Sequence, residues 1–416
     1  MFNLDIWQEI FQTLSKNKLR TFLTAFSVAW GIFMLMLLLG FGNGLQNGAK
    51  SAFASDAVNS IWFDAHETSV AYKGLGEGRK IHFENTDWEY LNGKVEGVQL
   101  AASRNMIWQA SIKYGERSTN FDILWVHPNY KHLESLKVTK GRFLNANDYR
   151  TAAKVVALGK IAEGLLFSPG EDPIGKYIIA NGVPFKVVGI FEDPGGDRDM
   201  RRLYMPMTTG QKVYNGKDHV QNLSMLVGNI SIAESKALEK KVVKELSDRH
   251  LISQEDKRAI SVWNNVEEYS KVMGIFTVIN LVVWWVGLMT LLAGVIGVGN
   301  IMMITVKDRT REIGIRKAMG ATPASIMGLI MQEAIFITIV SGYIGMLAGI
   351  WLLESGAIMN LLTSLGTGTD FFKNPSVDFG TAISATVVLI VAGSLAGYIP
   401  ARRAANINPI AAIRDE

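Results

Sequence analysis

The chain has 416 residues, of which 48% are hydrophobic, and a mean hydropathy of +0.16. Its 42 Lys+Arg and 38 Asp+Glu give a net charge of +4, which is too small to indicate a nucleic-acid partner. The absence of cysteine excludes disulfides, thiolate metal sites and cysteine nucleophiles. The apolar residues are gathered in long uncharged blocks, and this distribution indicates an integral membrane protein.

The first 20 residues form a charged amphipathic stretch. Its apolar residues stand at helical spacing and its basic residues follow them: Trp7, Ile10, Phe11 and Leu14, then Lys16, Lys18 and Arg20. An uncharged block comes next, without the small-residue cleavage pattern of a signal peptide. We therefore predict an interfacial helix over residues 1–20 on the inner leaflet, followed by a first span over residues 21–44.

The second apolar block, residues 272–306, is too long for one span and too short for two. Trp284 and Trp285 indicate a membrane boundary, because tryptophan favours the membrane–water interface. We expect the span at residues 286–306, with a helical stalk that begins near residue 266 outside the membrane. An apolar stalk needs a packing partner, either an extension of the first span or a second copy of the chain.

Two further apolar blocks, residues 326–353 and 379–401, complete four predicted spans. Basic residues cluster after the second span and in the tail of residues 402–416: Lys307, Arg309, Arg311, Arg316, Lys317, Arg402, Arg403 and Arg414. The loop of residues 354–378 has one lysine and no arginine. The positive-inside rule therefore predicts that both termini and residues 307–325 are cytoplasmic, and that residues 45–265 are extracytoplasmic.

The extracytoplasmic region has a mixed pattern. Residues 154–158 and 185–190 are rich in β-branched side chains and predict short strands. Ser231 and Glu234 form a capping-box pattern ahead of an amphipathic helix. We therefore predict a membrane protein with four transmembrane α-helices and a large α+β extracytoplasmic domain, in two lobes, inserted between spans one and two.

One segment comes near to a nucleotide-binding loop. Gly170, Gly175 and Lys176 have the spacing of a phosphate-binding loop, but Tyr177 replaces the Ser or Thr that would hold magnesium. The segment between the glycines also carries two carboxylates and a proline, which repel phosphate and lack a donor. We interpret it as a turn. The six histidines are scattered and no serine lies in a GxSxG elbow, so we expect no catalytic residue and no metal site.

Small residues in the predicted spans indicate close helix packing. Gly345 and Gly349 form a GxxxG pattern in the third span. The second span carries a comparable set, for which we predict intramembrane packing: Gly294, Gly297, Gly299 and Asn300. Glu333 lies about two turns into the third span, where a carboxylate is costly unless it is paired. We expect it to pair with an arginine of the preceding loop.

That loop, residues 307–321, is charged and helical in pattern. Gly314 and Gly320 permit a bend and a helix stop, and Thr322-Pro323 restarts a helix into the third span. A compact charged element between two spans suits the transfer of a push from a cytoplasmic partner into the membrane. An ordinary positive-inside loop would have the same charge, and charge alone does not separate the two interpretations.

The motifs resemble those of MacB/FtsX-type permeases, the membrane subunits of type VII ABC transporters. The motifs that carry the resemblance run from Asn17-Lys-Leu-Arg-Thr-Phe-Leu-Thr24 through Asp172-Pro-Ile-Gly-Lys176, Val187-Val-Gly-Ile190 and Gly297-Val-Gly-Asn-Ile-Met-Met303 to Pro400-Ala-Arg-Arg-Ala-Ala405 and Asn408-Pro-Ile-Ala-Ala-Ile-Arg414. The most specific is Arg309-Thr-Arg-Glu-Ile-Gly-Ile-Arg-Lys-Ala-Met-Gly-Ala321. The resemblance implies that this segment contacts the ATPase through Arg309, Arg311, Glu312, Ile313, Gly314, Arg316, Lys317, Ala318 and Gly320.

The resemblance also implies a set of partners. Two ABC ATPase subunits would bind ATP and Mg²⁺, and no cofactor is expected in this chain. A second permease copy or a paralogue would complete the membrane dimer, in contact with lipid of the bacterial inner membrane. A periplasmic adaptor and an outer-membrane channel are further expected partners. Because the sequence starts at the interfacial helix, we expect a separate ATPase polypeptide and a non-catalytic role for this chain.

The resemblance leaves two functions open. The first is export of a hydrophobic or amphipathic compound, peptide or lipoprotein, driven by movement passed from the ATPase to the periplasmic side (mechanotransmission). The alternative is FtsX-like signalling, in which the same movement activates a cell-wall hydrolase and nothing is transported. FtsX-like members carry smaller extracytoplasmic domains, which favours export here.

Overall fold

The computed structural model describes residues 18–53, 56–364, 372–409 and 412. The predicted interfacial helix lies outside these residues except for its last turn, and so does Arg414. The described chain forms two compact units. One contains the residues up to Ala49 and those from Gly274 onward, and the other is Lys50–Met273.

Helices and strands are numbered separately in chain order. The helices are α1 Lys18–Ala52, α2 Asn85–Lys94, α3 Tyr130–Leu133, α4 Ala146–Thr151, α5 Lys160–Leu166, α6 Met207–Val213, α7 Ile232–Arg249, α8 Asn265–Asp308, α9 Thr310–Ala318, α10 Pro323–Glu354, α11 Ala357–Ser364 and α12 Phe379–Ala405. The strands are β1 Ser60–Ala65, β2 Phe83–Glu84, β3 Val98–Tyr114, β4 Arg117–Val126, β5 Lys137–Gly141, β6 Val155–Gly159, β7 Tyr177–Ala180, β8 Val183–Glu192, β9 Leu203–Pro206, β10 His219–Val220, β11 Asn222–Val227 and β12 Ile260–Asn264.

Four of the described helices, α1, α8, α10 and α12, are long and apolar enough to cross a membrane, as predicted. Helix α8 has 44 residues, or about 66 Å at ~1.5 Å per residue, which is twice the ~30 Å hydrocarbon thickness. It continues without a break from Asn265 to Asp308, so the predicted stalk and second span are one helix. Strand β12 ends at Asn264, and no linker separates it from α8.

The transmembrane helices pack through small residues. A Cβ on Gly345 of α10 would lie 2.2 Å from the carbonyl oxygen of Ala29 in α1, closer than any side chain tolerates. Gly342 packs in the same way on Leu389 of α12, and Gly287 of α8 packs on Leu35 of α1. Such close approaches replace the hydrophobic driving force that is missing between helices in lipid. The GxxxG pattern of the third span therefore lies in a helix contact, as predicted for small residues.

The inserted domain is built on one large sheet with the strand order β12-β1-β11-β3-β4-β9-β6-β8-β5. Strand β7 pairs with both β3 and β8, and β2 pairs with β10 in a small separate sheet. Most neighbours are antiparallel, but β4–β9 and β6–β8 are parallel. The strands predicted at residues 154–158 and 185–190 correspond to β6 and to the middle of β8. The lobes expected from the sequence share this sheet, because the 17-residue strand β3 bridges it.

The helices of the inserted domain cover the sheet. Helix α7 starts at the predicted capping box, where the Ser231 N–H donates to Glu234 Oε2 at 2.8 Å and the Glu234 N–H donates to Ser231 Oγ at 3.3 Å. Its apolar face buries Val242 and Leu246 in the main core. A second core, on the opposite face of the sheet, contains Tyr130 and Tyr204.

Candidate functional site

Helix α9, residues 310–318, lies between two transmembrane helices, and single residues define its ends. Arg309 alone separates it from α8. Gly320 has a φ of +100°, which is a conformation that glycine adopts readily, and it ends the segment. Thr322 then caps α10 by accepting a hydrogen bond from the Ser325 N–H at 3.2 Å, with Pro323 in the first turn. The predicted stop and restart are both present.

Gly314 does not bend the helix, which corrects the expectation from the sequence. Helix α9 runs through this position without interruption, and the break lies at Arg309 instead. Gly314 is needed for close packing, because a Cβ here would lie 2.7 Å from the Cβ of Ala412 in the C-terminal tail. Neighbouring Ile313 is also buried, with 8% of its surface exposed. This face of α9 is therefore anchored to the transmembrane unit.

Lys317 fixes the same face of α9 by a polar contact. Its ammonium group donates to the carbonyl oxygens of Ala405 and Ile407, each at 2.7 Å. Ala405 is the last residue of α12, where the final carbonyl groups lack helical partners and the helix dipole favours a cation. Lys317 thus joins α9 to the end of the fourth transmembrane helix.

An ion pair joins the start of α9 to α10. Arg309 Nη1 lies 3.6 Å from Glu333 Oε2, and only 3% of Glu333 is exposed. This confirms the expectation that Glu333 pairs with an arginine of the loop. Arg309 Nε is also 4.0 Å from Glu312 Oε2. Arg309, Glu312, Arg316 and Glu333 line one small enclosed cavity between α8, α9 and α10, of about 20 Å³.

The opposite face of α9 is exposed. Arg311, Ile315 and Met319 follow one another at four-residue spacing, with 43% of Ile315 and 77% of Met319 exposed. Glu312, Ala318 and Gly320 are exposed beside them, and Arg316 is half-buried. Ile315 and Met319 were not among the residues predicted to contact the ATPase. Their four-residue spacing from Arg311 places all three on one face of the helix, but the sequence pattern alone does not show that this face is the exposed one.

The predicted packing residues of α8 divide into two groups. Gly294 and Gly299 are close to backbone: an added Cβ would lie 3.4 Å from the Ser27 carbonyl oxygen and 3.4 Å from that of Ala396, respectively. Gly297 has no described atom of this chain within 4 Å of an added Cβ, and Asn300 is exposed. Gly294 and Gly299 thus lie near other helices, whereas the described residues place no atom against Gly297.

The segment from Gly170 to Lys176 is a turn, as expected, with positive φ at both glycines. Lys176 Nζ lies 2.5 Å from Glu171 Oε1, and the Tyr114 hydroxyl donates to the same oxygen at 2.7 Å. These hydrogen bonds, with that from the Ser168 N–H, lower the pKa of Glu171 to about 2. The lysine is paired with a carboxylate of its own loop, so this segment has no phosphate cradle.

A multi-pass membrane protein with an inserted α+β domain and a short anchored helix between its second and third spans is a recognisable class of permease. Residues 21–248 match the model of the MacB-like periplasmic core domain, and residues 284–409 match that of the FtsX-like permease C-terminal region. The chain belongs to the MacB/FtsX-type permease family, which confirms the resemblance of its motifs. It is therefore a multi-pass inner-membrane protein whose inserted unit is a periplasmic core domain.

Curated relatives are similar over nearly the whole chain. The macrolide export ATP-binding/permease protein MacB of Marinobacter nauticus is 29% identical over 99% of this chain and 62% of its own length. MacB of an Azoarcus species is 32% identical over 97% of this chain and 58% of its own. The pyoverdine export ATP-binding/permease protein PvdT of Pseudomonas savastanoi pv. phaseolicola is 27% identical over 99% of this chain and 60% of its own length. The chain thus spans about 60% of the length of these relatives.

Two solved structures are similar to about half of this chain. The periplasmic region of MacB from Actinobacillus actinomycetemcomitans is 21% identical, with a TM-score of 0.43, over 53% of this chain and 95% of that structure. The extracellular domain of YknZ, a noncanonic ABC-type transporter from Gram-positive bacteria, is 21% identical with a TM-score of 0.42, over 50% of this chain and all of that domain.

Proposed function

We propose that this chain is the permease part of a type VII ABC exporter, in which an ABC ATPase acts on α9 and the movement is passed to the periplasmic domain. The observation that carries the proposal is the division of α9 into two faces. One face is anchored to α10, α12 and the C-terminal tail through Arg309, Gly314 and Lys317. The other exposes Arg311, Ile315 and Met319, an apolar pair beside a charge, which suits a protein partner.

The anchored contacts explain how a push on α9 can leave it. A partner that moves the exposed face also moves Lys317 and Arg309, because both side chains are held by groups on transmembrane helices. Helix α8 begins directly after β12 of the periplasmic domain and ends one residue before α9. In this proposal α8 is the element that carries the movement outward, since a continuous helix transmits displacement better than a flexible linker.

The proposal fixes an orientation and a set of partners. By the positive-inside rule, the basic residues around α9 and at the end of α12 support a cytoplasmic location for α9 and for both chain termini. Two ATPase copies bind ATP and Mg²⁺ below two permeases. The exposed apolar faces of α1 and α8, which include Trp30 and Trp285, face lipid or the second permease. A periplasmic adaptor and an outer-membrane channel complete the export path.

The cargo assigned by this proposal is a hydrophobic or amphipathic compound, peptide or lipoprotein. It is supported by the names of the relatives, which describe macrolide export and pyoverdine export. The size of the periplasmic unit, Lys50–Met273, also supports export over signalling.

The test compares two matched substitutions in the full chain, reconstituted in nanodiscs with its cognate ATPase. Ile315→Asp places a charge on the exposed face of α9, where 43% of the isoleucine is exposed. Ile232→Asp is the control, because 42% of Ile232 is exposed at the start of α7 in the periplasmic domain. We expect Ile315→Asp to weaken ATPase association at least about tenfold, or ~1.4 kcal/mol, and Ile232→Asp to leave it unchanged.

Two results would contradict the proposal. Equal ATPase association in both variants would remove α9 as the coupling element. Export that continues after deletion of the chain, with activation of a cell-wall hydrolase lost instead, would replace export by signalling.

A further inference from the structure

The periplasmic domain contains a cleft of about 780 Å³ that lies outside the coupling machinery. It is formed where β1 and β12 meet the hairpin of residues 66–81 and the loop that precedes β12. Its lining is polar and rich in cations and imidazoles: Lys80, Lys257 and Arg258, with His66, His82 and Ser261. This volume is in the range of small-molecule pockets, ~300–1,000 Å³.

The three cations of the cleft have no ion-pair partner in the described part of the chain. Lys80 stands opposite Glu67 across the hairpin, but their charged groups form no ion pair. The other lining carboxylate, Asp64, is already engaged by the Asn222 amide at 2.8 Å and by Arg104 Nη2 at 3.9 Å. Some other lysines of this domain are paired: Lys140 and Lys160 each lie 2.8 Å from Glu163, and Lys176 contacts Glu171. The unpaired cations of the cleft are therefore available to an external anion.

The walls of the cleft are held in place by one carboxylate. Asp256 accepts hydrogen bonds from the Ser69 N–H at 2.6 Å, the Ser69 hydroxyl at 2.7 Å and the Val70 N–H at 3.1 Å. The same carboxylate accepts the N–H groups of Arg258 at 3.1 Å and Ala259 at 3.2 Å. It thus ties the loop that carries Lys257 and Arg258 to the hairpin that carries Lys80.

A second anchor fixes the other side of the hairpin. Arg79 donates to the carbonyl oxygens of His250 and Leu251 after α7, each at 2.8 Å. His82 stacks on His219 with ring centroids 4.5 Å apart and planes 6° apart. Burial, His219 and Lys80 together lower the pKa of His82, so at neutral pH it presents an uncharged imidazole as a hydrogen-bond donor or acceptor.

We propose that this cleft binds a small water-soluble molecule through a carboxylate or phosphate group, with Lys80, Lys257 and Arg258 as the cationic contacts. Charge-assisted hydrogen bonds from ammonium and guanidinium groups are the strong contacts for such oxyanions. Gln221 and Ser261 line the cleft beside them and supply neutral donors. The inference goes beyond ATP-driven export, and the binding it describes requires no ATPase.

The experiment titrates citrate into the full chain in phosphatidylcholine nanodiscs and measures binding by calorimetry. The cleft variant combines Lys80→Gln, Lys257→Gln and Arg258→Gln. The charge-matched control combines Lys113→Gln, Lys240→Gln and Lys241→Gln, which are exposed residues of the same domain outside the cleft. We expect saturable binding that weakens at least about tenfold in the cleft variant and less than about twofold in the control.

A third variant reverses the direction of the effect. Glu67→Gln removes a lining carboxylate that forms no ion pair among the described residues, so we expect citrate to bind more tightly, by about two- to threefold. Inorganic phosphate should compete with citrate in the wild-type chain. Thermal unfolding of each variant verifies that it is folded.

Three outcomes would overturn the inference. No saturable heat with citrate would mean that the cleft is a solvated surface, and equal loss in both triple variants would mean unspecific attraction. The third outcome is weaker citrate binding at Lys80, Lys257 and Arg258 when the nanodiscs contain phosphatidylglycerol. That result would identify the occupant of the cleft as a lipid headgroup and not a water-soluble molecule.

Discussion

Arg309 and Glu333 form an ion pair that joins the start of α9 to the third transmembrane helix, with Nη1 and Oε2 3.6 Å apart. Glu333 is buried, and a carboxylate at this depth in a span is costly unless it is paired. Glu312 provides an exposed contact for comparison. Its Oε2 lies 4.0 Å from Nε of the same arginine, and 60% of the Glu312 side chain is exposed. The two glutamates allow the buried and the exposed contact of one arginine to be separated.

Replacement of Glu333 by alanine should destabilise the transmembrane unit. The substitution leaves Arg309 without its buried partner, and breaking such a pair costs on the order of 3 kcal/mol. Glu312→Ala removes an exposed contact, for which we expect less than about 1 kcal/mol. Thermal unfolding in detergent measures both, and equal midpoints for the two variants would contradict a structural role for the buried pair.

Lys317→Met should release α9 from the end of α12. The methionine keeps the apolar length of the side chain but removes two charged hydrogen bonds, worth about 1.5–3 kcal/mol each. We expect faster amide hydrogen exchange over residues 310–318 and 405–407. Lys307→Met removes the same charge from an exposed residue at the end of α8 and should leave exchange at these sites unchanged. Identical exchange in the two variants would show that the lysine does not hold the helix.

Gly345→Ala should weaken the contact between α1 and α10. The added methyl group would lie 2.2 Å from the Ala29 carbonyl oxygen, so the two helices must separate. Gly328→Ala on the same helix meets no described atom within 4 Å and should stabilise α10 by up to about 1 kcal/mol through helix propensity. Opposite shifts of the unfolding midpoint are the expected result. A fall of the same size at both positions would point to an effect of the added methyl group on lipid contact and not to the contact between α1 and α10.

Asp193 should make the stability of the periplasmic domain depend on pH. Burial raises the pKa of Asp193 to about 7. The negative charges of Glu134 and Asp199 raise it as well, whereas the hydrogen bond from the Gly195 N–H lowers it. The folded state therefore holds the proton more tightly than the unfolded state, whose carboxyl titrates near 3.8. The stability from this proton is complete below about pH 4 and is lost as the pH rises to about 7.

Asp193→Asn imitates the protonated carboxyl and tests this linkage. The difference in unfolding free energy between the variant and the wild-type chain should grow from pH 4 to pH 7 and then level off. Asp197→Asn, at an exposed neighbour, should show no such growth. A constant difference across this range for Asp193→Asn would exclude the linkage.

Local signals in the sequence predicted the elements but few of the contacts between them. Uncharged length was enough for the four spans, because the bilayer imposes one requirement on every spanning helix. The capping box at Ser231 and Glu234 was equally visible, since both partners lie within one turn. The parallel pairing of β4 with β9 was not, because about 80 residues separate the strands and no short-range period encodes that contact.

Helix α9 and the residues that follow it show the same difference between local signals and distant contacts. Its stop at Gly320 and restart at Thr322 follow from local preferences, and both are present. The packing role of Gly314 depends on Ala412, almost 100 residues further along the chain. Lys317 likewise finds its acceptors 88 and 90 residues away. Which side of α9 is exposed is decided by these distant neighbours, so Ile315 and Met319 could not be assigned from the sequence pattern alone.

The five hydrogen bonds on Asp256 have a consequence for how the periplasmic cleft meets a ligand. A loop that is already ordered loses little conformational entropy when it is occupied. The backbone that carries Lys257 and Arg258 is thus ordered before a ligand arrives, while the long exposed side chains of both residues still adjust to it. In such a cleft the ordering cost of binding falls on a few side chains and not on the loop, and the positive charge favours fast association with anions.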